Sequence, residues 1–149
     1  MPISFHSEDI IFSLPEKNSI KKWICAVAEN EKKKVDSICF IFCSNKKILE
    51  INKEYLNHNY FTDIISFDYS KKNFIGGDVF ISTETVLENS LRFKTEFILE
   101  LRRVIIHGVL HFMGYKDKNK IDSLKMRNAE NRALELYKSF VPRGTKKKA

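Results

Sequence analysis

The sequence predicts an α+β fold, a single small mixed sheet of about four strands packed with helices. Three observations carry that prediction. Strand-like and helix-like segments follow one another in an irregular order, unlike the strict alternation of a doubly wound sheet. Two strand-like runs, 63–69 and 74–82, are separated only by the polar stretch Ser70-Lys71-Lys72-Asn73, which suits an antiparallel hairpin. One helix is apolar nearly all round and so belongs between two layers. With 149 residues, no internal repeat and no Pro/Gly-rich linker, the chain predicts one domain over 1–141. The remainder, 142–149, holds four basic residues and no acid and predicts a disordered basic tail.

Taken in order, Ile10 to Leu14 reads as a first strand, ended by Pro15. From Lys17 to Lys34, residues Ile20, Trp23, Ile24, Val27 and Ala28 follow the i, i+3, i+4, i+7, i+8 spacing of an amphipathic helix. Ser37–Cys43 reads as a buried strand, and Ser44 caps a helix to about Leu56, with Ile48, Leu49, Tyr55 and Leu56 on one side. After the hairpin, Thr83 opens a short helix to Arg92 carrying Val86, Leu87 and Leu91. The apolar helix runs from Lys94 to Met113. At 100° per residue, Phe97, Leu101, Val104, Ile105, Val109 and Phe112 share one broad face, with Leu99, Ile106 and Leu110 opposite. Gly114 stops it. A final charge-rich helix, Asn119 to Phe140, is expected on the surface.

The formal charge of +7 includes four cations in the tail, so 1–141 is only mildly basic at +3. A polyanionic partner fits this balance without being required by it. Cys25, Cys39 and Cys43 are odd in number, and the amino terminus lacks a basic region followed by an apolar core. A reducing, cytoplasmic location is expected, with the cysteines as small core residues. No apolar run reaches the roughly 18 residues of a membrane span.

The chemistry concentrates on the apolar helix. His107 and His111 lie one turn apart on one side, where two imidazoles can converge on one ion. Beyond Gly114, Asp117 can fold its carboxylate back over them. Two nitrogens, one oxygen and a water make the usual catalytic zinc arrangement, whereas structural zinc is closed by four protein ligands. A bare H-x-x-x-H arises often by chance, and Asp117 could instead cap the last helix. Gly108 stands where zinc proteases of the H-E-x-x-H type place their general base, which argues against peptide hydrolysis. Gly76-Gly77 reads as a bulge or close backbone approach.

From His107 to Tyr115 the sequence His-Gly-Val-Leu-His-Phe-Met-Gly-Tyr resembles the H-G-x-L-H-x-x-G-Y signature of the YbeY family, bacterial metal-dependent endoribonucleases and rRNA maturation factors. Leu56-Asn57, Thr62-Asp63-Ile64-Ile65-Ser66-Phe67 and Gly77-Asp78-Val79-Phe80-Ile81-Ser82 resemble that family's L-N, T-D-V-L-S-F and G-D-I-x-I-S segments, in the same order. The resemblance implies a zincin-like metal-site helix and one Zn2+ ion, or another divalent transition metal, on His107 and His111. The family commonly has a third histidine where this chain has Asp117. It also usually has an RNA-facing arginine soon after L-N, absent here from His58-Asn59-Tyr60-Phe61. Arg92, Arg102, Arg103 or a lysine could take that role.

The function implied is single-strand-specific endoribonuclease action in rRNA maturation, at the 16S rRNA 3′ end, and in ribosome quality control. The partners implied are rRNA and the ribosome or its small-subunit precursors, with neither DNA nor membrane. The alternatives are a non-catalytic ribosome-assembly factor with a structural metal, and a metal hydrolase acting on a peptide or small molecule. Thr62, Asp63 and Ser66 are expected near the cleft, with turn and strand roles their simpler reading, and His6 and His58 on the surface.

Overall fold

A computed structural model describes residues 2–55 and 62–141. Along the chain run β1 (Ile3–Ser7), α1 (Lys17–Asn30), β2 (Lys34–Cys43), α2 (Asn45–Tyr55), β3 (Ile64–Asp68), β4 (Phe74–Ser82), α3 (Thr83–Arg92), α4 (Phe97–Phe112) and α5 (Lys120–Tyr137), closed by a 3-10 turn at Lys138–Phe140. The strands form one mixed sheet in the order β1-β2-β4-β3. The first three are parallel and β3 is antiparallel to β4. The α+β expectation and the hairpin are both borne out. The basic tail and the Leu56–Phe61 segment lie outside the described residues.

Helices α1 and α4 cover one sheet face and α5 packs across them, so that Ile20, Trp23, Leu101, Ile105, Met126 and Ala133 share one core with strand residues such as Ile38, Phe40 and Val79. A smaller core on the other face joins Ile48 and Ile51 of α2 to Cys43 and Ile65. Phe80 packs on that second side, while its neighbours Val79 and Ile81 face the main core, as strand alternation requires. Helix α4 packs on β3 and β4 and also against α3 and α5, which explains its all-round apolarity.

Several boundaries differ from the sequence expectation, each for a local reason. The first strand is Ile3–Ser7, and Ile10–Leu14 is irregular. Asp9 turns the chain at φ 58, and its carboxylate accepts hydrogen bonds from the Ser44 backbone N–H at 3.0 Å and the Ser44 hydroxyl at 2.6 Å. That leaves Ile11 in solvent while Phe12 packs edge-on against Phe42. Helix α1 stops at Asn30 because Lys32 takes a left-handed φ of 61, with Lys33 N–H donating to the Ala28 carbonyl. Ser44 does cap α2, accepting from Lys47 N–H at 3.1 Å, but the buried face is Ile48, Ile51 and Asn52, with Tyr55 exposed. Helix α4 begins at Phe97, after Lys94 at φ 55 has closed the end of α3.

Gly76 and Gly77 serve the close approach expected of them. A β-bulge in β2 between Val35 and Ser37 falls opposite Gly76. A Cβ at Gly77 would lie 2.1 Å from the Phe67 carbonyl oxygen and 2.6 Å from the Phe112 ring, so only glycine lets α4 sit this close to the hairpin. Cys43 is fully buried, and burial, followed by the nearby Asp9 and Glu8 charges, pushes its thiol up to about 12. Cys25 and Cys39 are partly buried and unpaired.

Trp23, the only tryptophan, is fully buried, donates its indole N–H to the Ala133 carbonyl at 2.7 Å, and meets Tyr137 edge-on at 5.0 Å. It therefore ties α1 to α5. Trp23→Ala is expected to cost about 3–5 kcal/mol of unfolding free energy in urea melts. The wild-type fluorescence is expected to shift to the red on unfolding.

Candidate metal centre

Helix α4 positions the two histidines because its fully buried residues alternate with a half-buried ridge at 107 and 111. Their rings lie 4.7 Å apart, centroid to centroid. Gly108 lies on the neighbouring face of the helix, against the sheet, where a Cβ would stand 3.2 Å from both the Ile64 and Val79 side chains. The helix then ends in a Schellman turn. Gly114 at φ 103 donates to the His111 carbonyl at 3.0 Å, and Tyr115 N–H donates to the Leu110 carbonyl at 3.0 Å.

That turn sends the chain back along the helix, and Asp117 Oδ2 arrives 3.3 Å from His107 Nε2 and 3.5 Å from His111 Nε2. The capping alternative does not hold. Asn119 caps α5, accepting from Asp122 N–H at 2.8 Å, while the Asp117 carboxylate faces the imidazoles. The ligand atoms of the three residues lie within 4.8 Å of one another. A tetrahedral ion with bonds of ~2.1 Å requires donor separations of ~3.4 Å, so the two nitrogen–oxygen distances match such a centre.

The far side of each imidazole is also fixed. His107 Nδ1 lies 2.6 Å from Glu130 Oε2, and His111 Nδ1 lies 3.1 Å from the Tyr115 carbonyl oxygen. A carboxylate and a carbonyl can only accept, so both Nδ1 atoms carry the proton and both Nε2 lone pairs point at Asp117. Metal-binding histidines are typically oriented in this way. Glu130 is 5% exposed on the inner face of α5 and also accepts from Arg103 Nη1 at 2.8 Å.

Burial opposes the charge of both histidines, and their surroundings then separate them. For His107 the Glu130 hydrogen bond and charge, with Asp117 and Asp63, outweigh burial and raise its pKa. For His111 burial and the charge of His107 prevail and lower it. Burial alone would raise Glu130, but hydrogen bonds from His107 and Arg103 hold it below the usual carboxylate range.

The centre forms one end of a cleft of about 530 Å³. Thr62 and Asp63 line it as expected, and burial pushes the Asp63 carboxyl up against the pull of His107. Ser66 does not line it, and His6 is exposed. Of the arginines considered from sequence, Arg103 reaches the cleft, whereas Arg102 pairs with Glu16 and lies over the Tyr137 ring. Among the lining residues that the sequence reading does not single out are Glu130, Arg127 and Phe93. Met126, Ala129, Glu130 and Ala133 repeat at helical spacing on the buried face of α5, a signal that could have marked Glu130.

Fold and site together define a small α+β protein with an open His-His-carboxylate centre on a buried helix. The sequence model of a family described as Endoribonuclease YbeY matches residues 3–138, and the chain belongs to that family. A relative from Parabacteroides distasonis named Endoribonuclease YbeY is 48% identical over 136 residues, covering 91% of this chain and 96% of the relative. One from Flavobacterium psychrophilum with the same name is 49% identical over 135 residues, with the same coverage of both chains. The solution structure of TM1509 from Thermotoga maritima shares the fold at a TM-score of 0.66 and 24% identity, covering 92% of this chain and 89% of that one.

Because Glu130 is buried and bonded to both His107 and Arg103, Glu130→Ala is expected to lower unfolding free energy by about 3 kcal/mol. Asp117 is 43% exposed, and Asp117→Ala is expected to change it by less than about 1 kcal/mol. Urea melts of the metal-free proteins would read both.

Proposed function

We propose that this chain is a metal-dependent endoribonuclease that cuts single-stranded RNA, with one zinc ion, or another divalent transition metal, on His107, His111 and Asp117. The observation that carries the reading is the convergence of two imidazole nitrogens, each with its opposite nitrogen anchored, on one carboxylate oxygen. Relatives named endoribonuclease at 48% and 49% identity supply the reaction class. The reading extends to rRNA maturation on the ribosome or its small-subunit precursors in the cytoplasm. The net charge of +7 fits a polyanionic partner. Among the described residues no helix is long and apolar enough to cross a membrane.

When bound, such an ion supplies Lewis acidity toward a phosphate oxygen and lowers the pKa of water toward about 7. The chain's own residues hold and orient. Glu130 and the Tyr115 carbonyl keep the imidazole protons on Nδ1, and Arg103 holds Glu130 in place. Three protein donors leave a tetrahedral position for substrate or solvent, which favours a hydrolytic centre over a structural one. Gly108, turned into the sheet, contributes no general base, so the H-E-x-x-H peptidase mechanism has no support here.

His111→Ala is expected to lose bound metal and RNA cleavage together, read by elemental analysis and by digestion of a single-stranded RNA, with Asp117→Ala retaining less metal than wild type. Full cleavage by His111→Ala would overturn the mechanism. Wild-type protein that holds its metal, associates with ribosomes and cuts no RNA under any divalent metal would instead be an assembly factor.

Protons compete with metal for the same nitrogens. His107, raised above its ordinary value, protonates first as pH falls, and His111, lowered, follows at more acidic pH. Metal retention is therefore expected to be full at alkaline pH. The apparent metal affinity should fall about tenfold per unit once His107 titrates, and more steeply when His111 joins. Chelator competition across pH would show this.

A further inference from the structure

The charges lining the cleft do not suit attraction of a polyanion. Asp63, Glu100, Asp117 and Glu130 line it against Arg103 and Arg127. Arg103 is engaged twice, by Glu130 at 2.8 Å and by Asn131 at 3.0 Å. Arg127 is different. Its side chain is 57% exposed, and its contact with Glu130 is a loose 3.7 Å. Besides the ion proposed above, a single loosely held side-chain cation among the described residues is weak provision for an RNA strand, so a further source of binding is called for.

Phe93 supplies a candidate. Among the described residues lining the cleft it is the one phenyl ring, and it is 61% exposed. The end of α3 holds it there. Phe93 N–H donates to the Asn89 carbonyl at 2.9 Å, and Thr95 N–H donates to the Ser90 carbonyl at 2.9 Å across Lys94, which takes φ 55. A β-carbon disfavours that left-handed conformation. The turn thus leaves the ring on the cleft wall rather than in the core, while α5 contributes Arg127 to the same cleft.

From this juxtaposition we infer that Phe93 is a stacking platform for an unpaired base of the RNA strand, and that Arg127 contacts a neighbouring phosphate. The assignment rests on the ribonuclease reading above for the identity of the ligand. Aromatic stacking is tolerant of base identity but needs a base free on at least one face. The platform therefore selects single strands over duplex, and it supplies binding that the acidic lining cannot.

The test uses the metal-loaded protein and a fluorescein-labelled, 2′-O-methylated oligoadenylate, with binding read by anisotropy. Phe93→Ala is expected to weaken binding about 5- to 150-fold, and Phe93→Trp to restore it. Arg127→Gln is expected to reduce the salt dependence by about 0.7 in the log–log slope, one phosphate contact. Pairing the strand to its complement should abolish the difference between wild type and Phe93→Ala.

Binding by Phe93→Ala within twofold of wild type would overturn the platform, as would loss of its metal or a collapse of its melting temperature. Wild-type protein that binds the strand through Phe93 yet cuts no RNA would retire the nuclease reading and leave the platform standing. Full cleavage and binding by Phe93→Ala would do the reverse. Wild type that neither binds nor cuts would retire both.

Discussion

The hydrogen bond between His107 and Glu130 is the constraint on which the centre depends. It joins α4 to α5 at 2.6 Å, fixes which imidazole nitrogen faces Asp117, and anchors a carboxylate that could not otherwise be buried. Arg103 completes the arrangement from the same helix as the histidine. The Trp23 bond to Ala133 then holds α5 from the α1 side, so the charge-rich last helix acts as a clamp across the molecule. Its exposed face is mostly charged and polar, though Ile121 and Leu124 also lie exposed, and its inner face sets the shape of the site.

Much of this was legible in the sequence. Helical spacing located the buried faces of α1 and α4, and the run from His107 to Asp117 gave the donors together with the turn that gathers them. What escaped depended on tertiary placement. Glu130 looks like one more charge on a solvated helix until α5 is laid against α4. Phe93 looks like a core residue until the left-handed turn at Lys94 puts it outside. At the amino end, the alternation of Ile3-Ser4-Phe5-His6-Ser7 is a better mark of a half-buried edge strand than the apolar content of Ile10–Leu14.

Charge is divided between scales. The chain as a whole is basic, with four cations gathered in the last eight residues, while the cleft itself is lined with more acids than arginines. Long-range attraction and close-range fit therefore have separate physical origins: dispersed surface cations for the first, shape, stacking and a bound ion for the second. Salt would screen the former far more than the latter.

Gly108 bears on how such a centre can change over generations. One nucleotide replacement converts a glycine codon into a glutamate codon, so the letters of a zinc peptidase signature lie a single mutational step away. The sheet stands in the way of that route. A Cβ at 108 would stand 3.2 Å from both Ile64 and Val79, so a longer side chain there needs these two to give way before its carboxylate could reach the cleft. Divergence toward peptide cleavage would therefore demand repacking between the helix and β3 and β4 as well as the change in spelling.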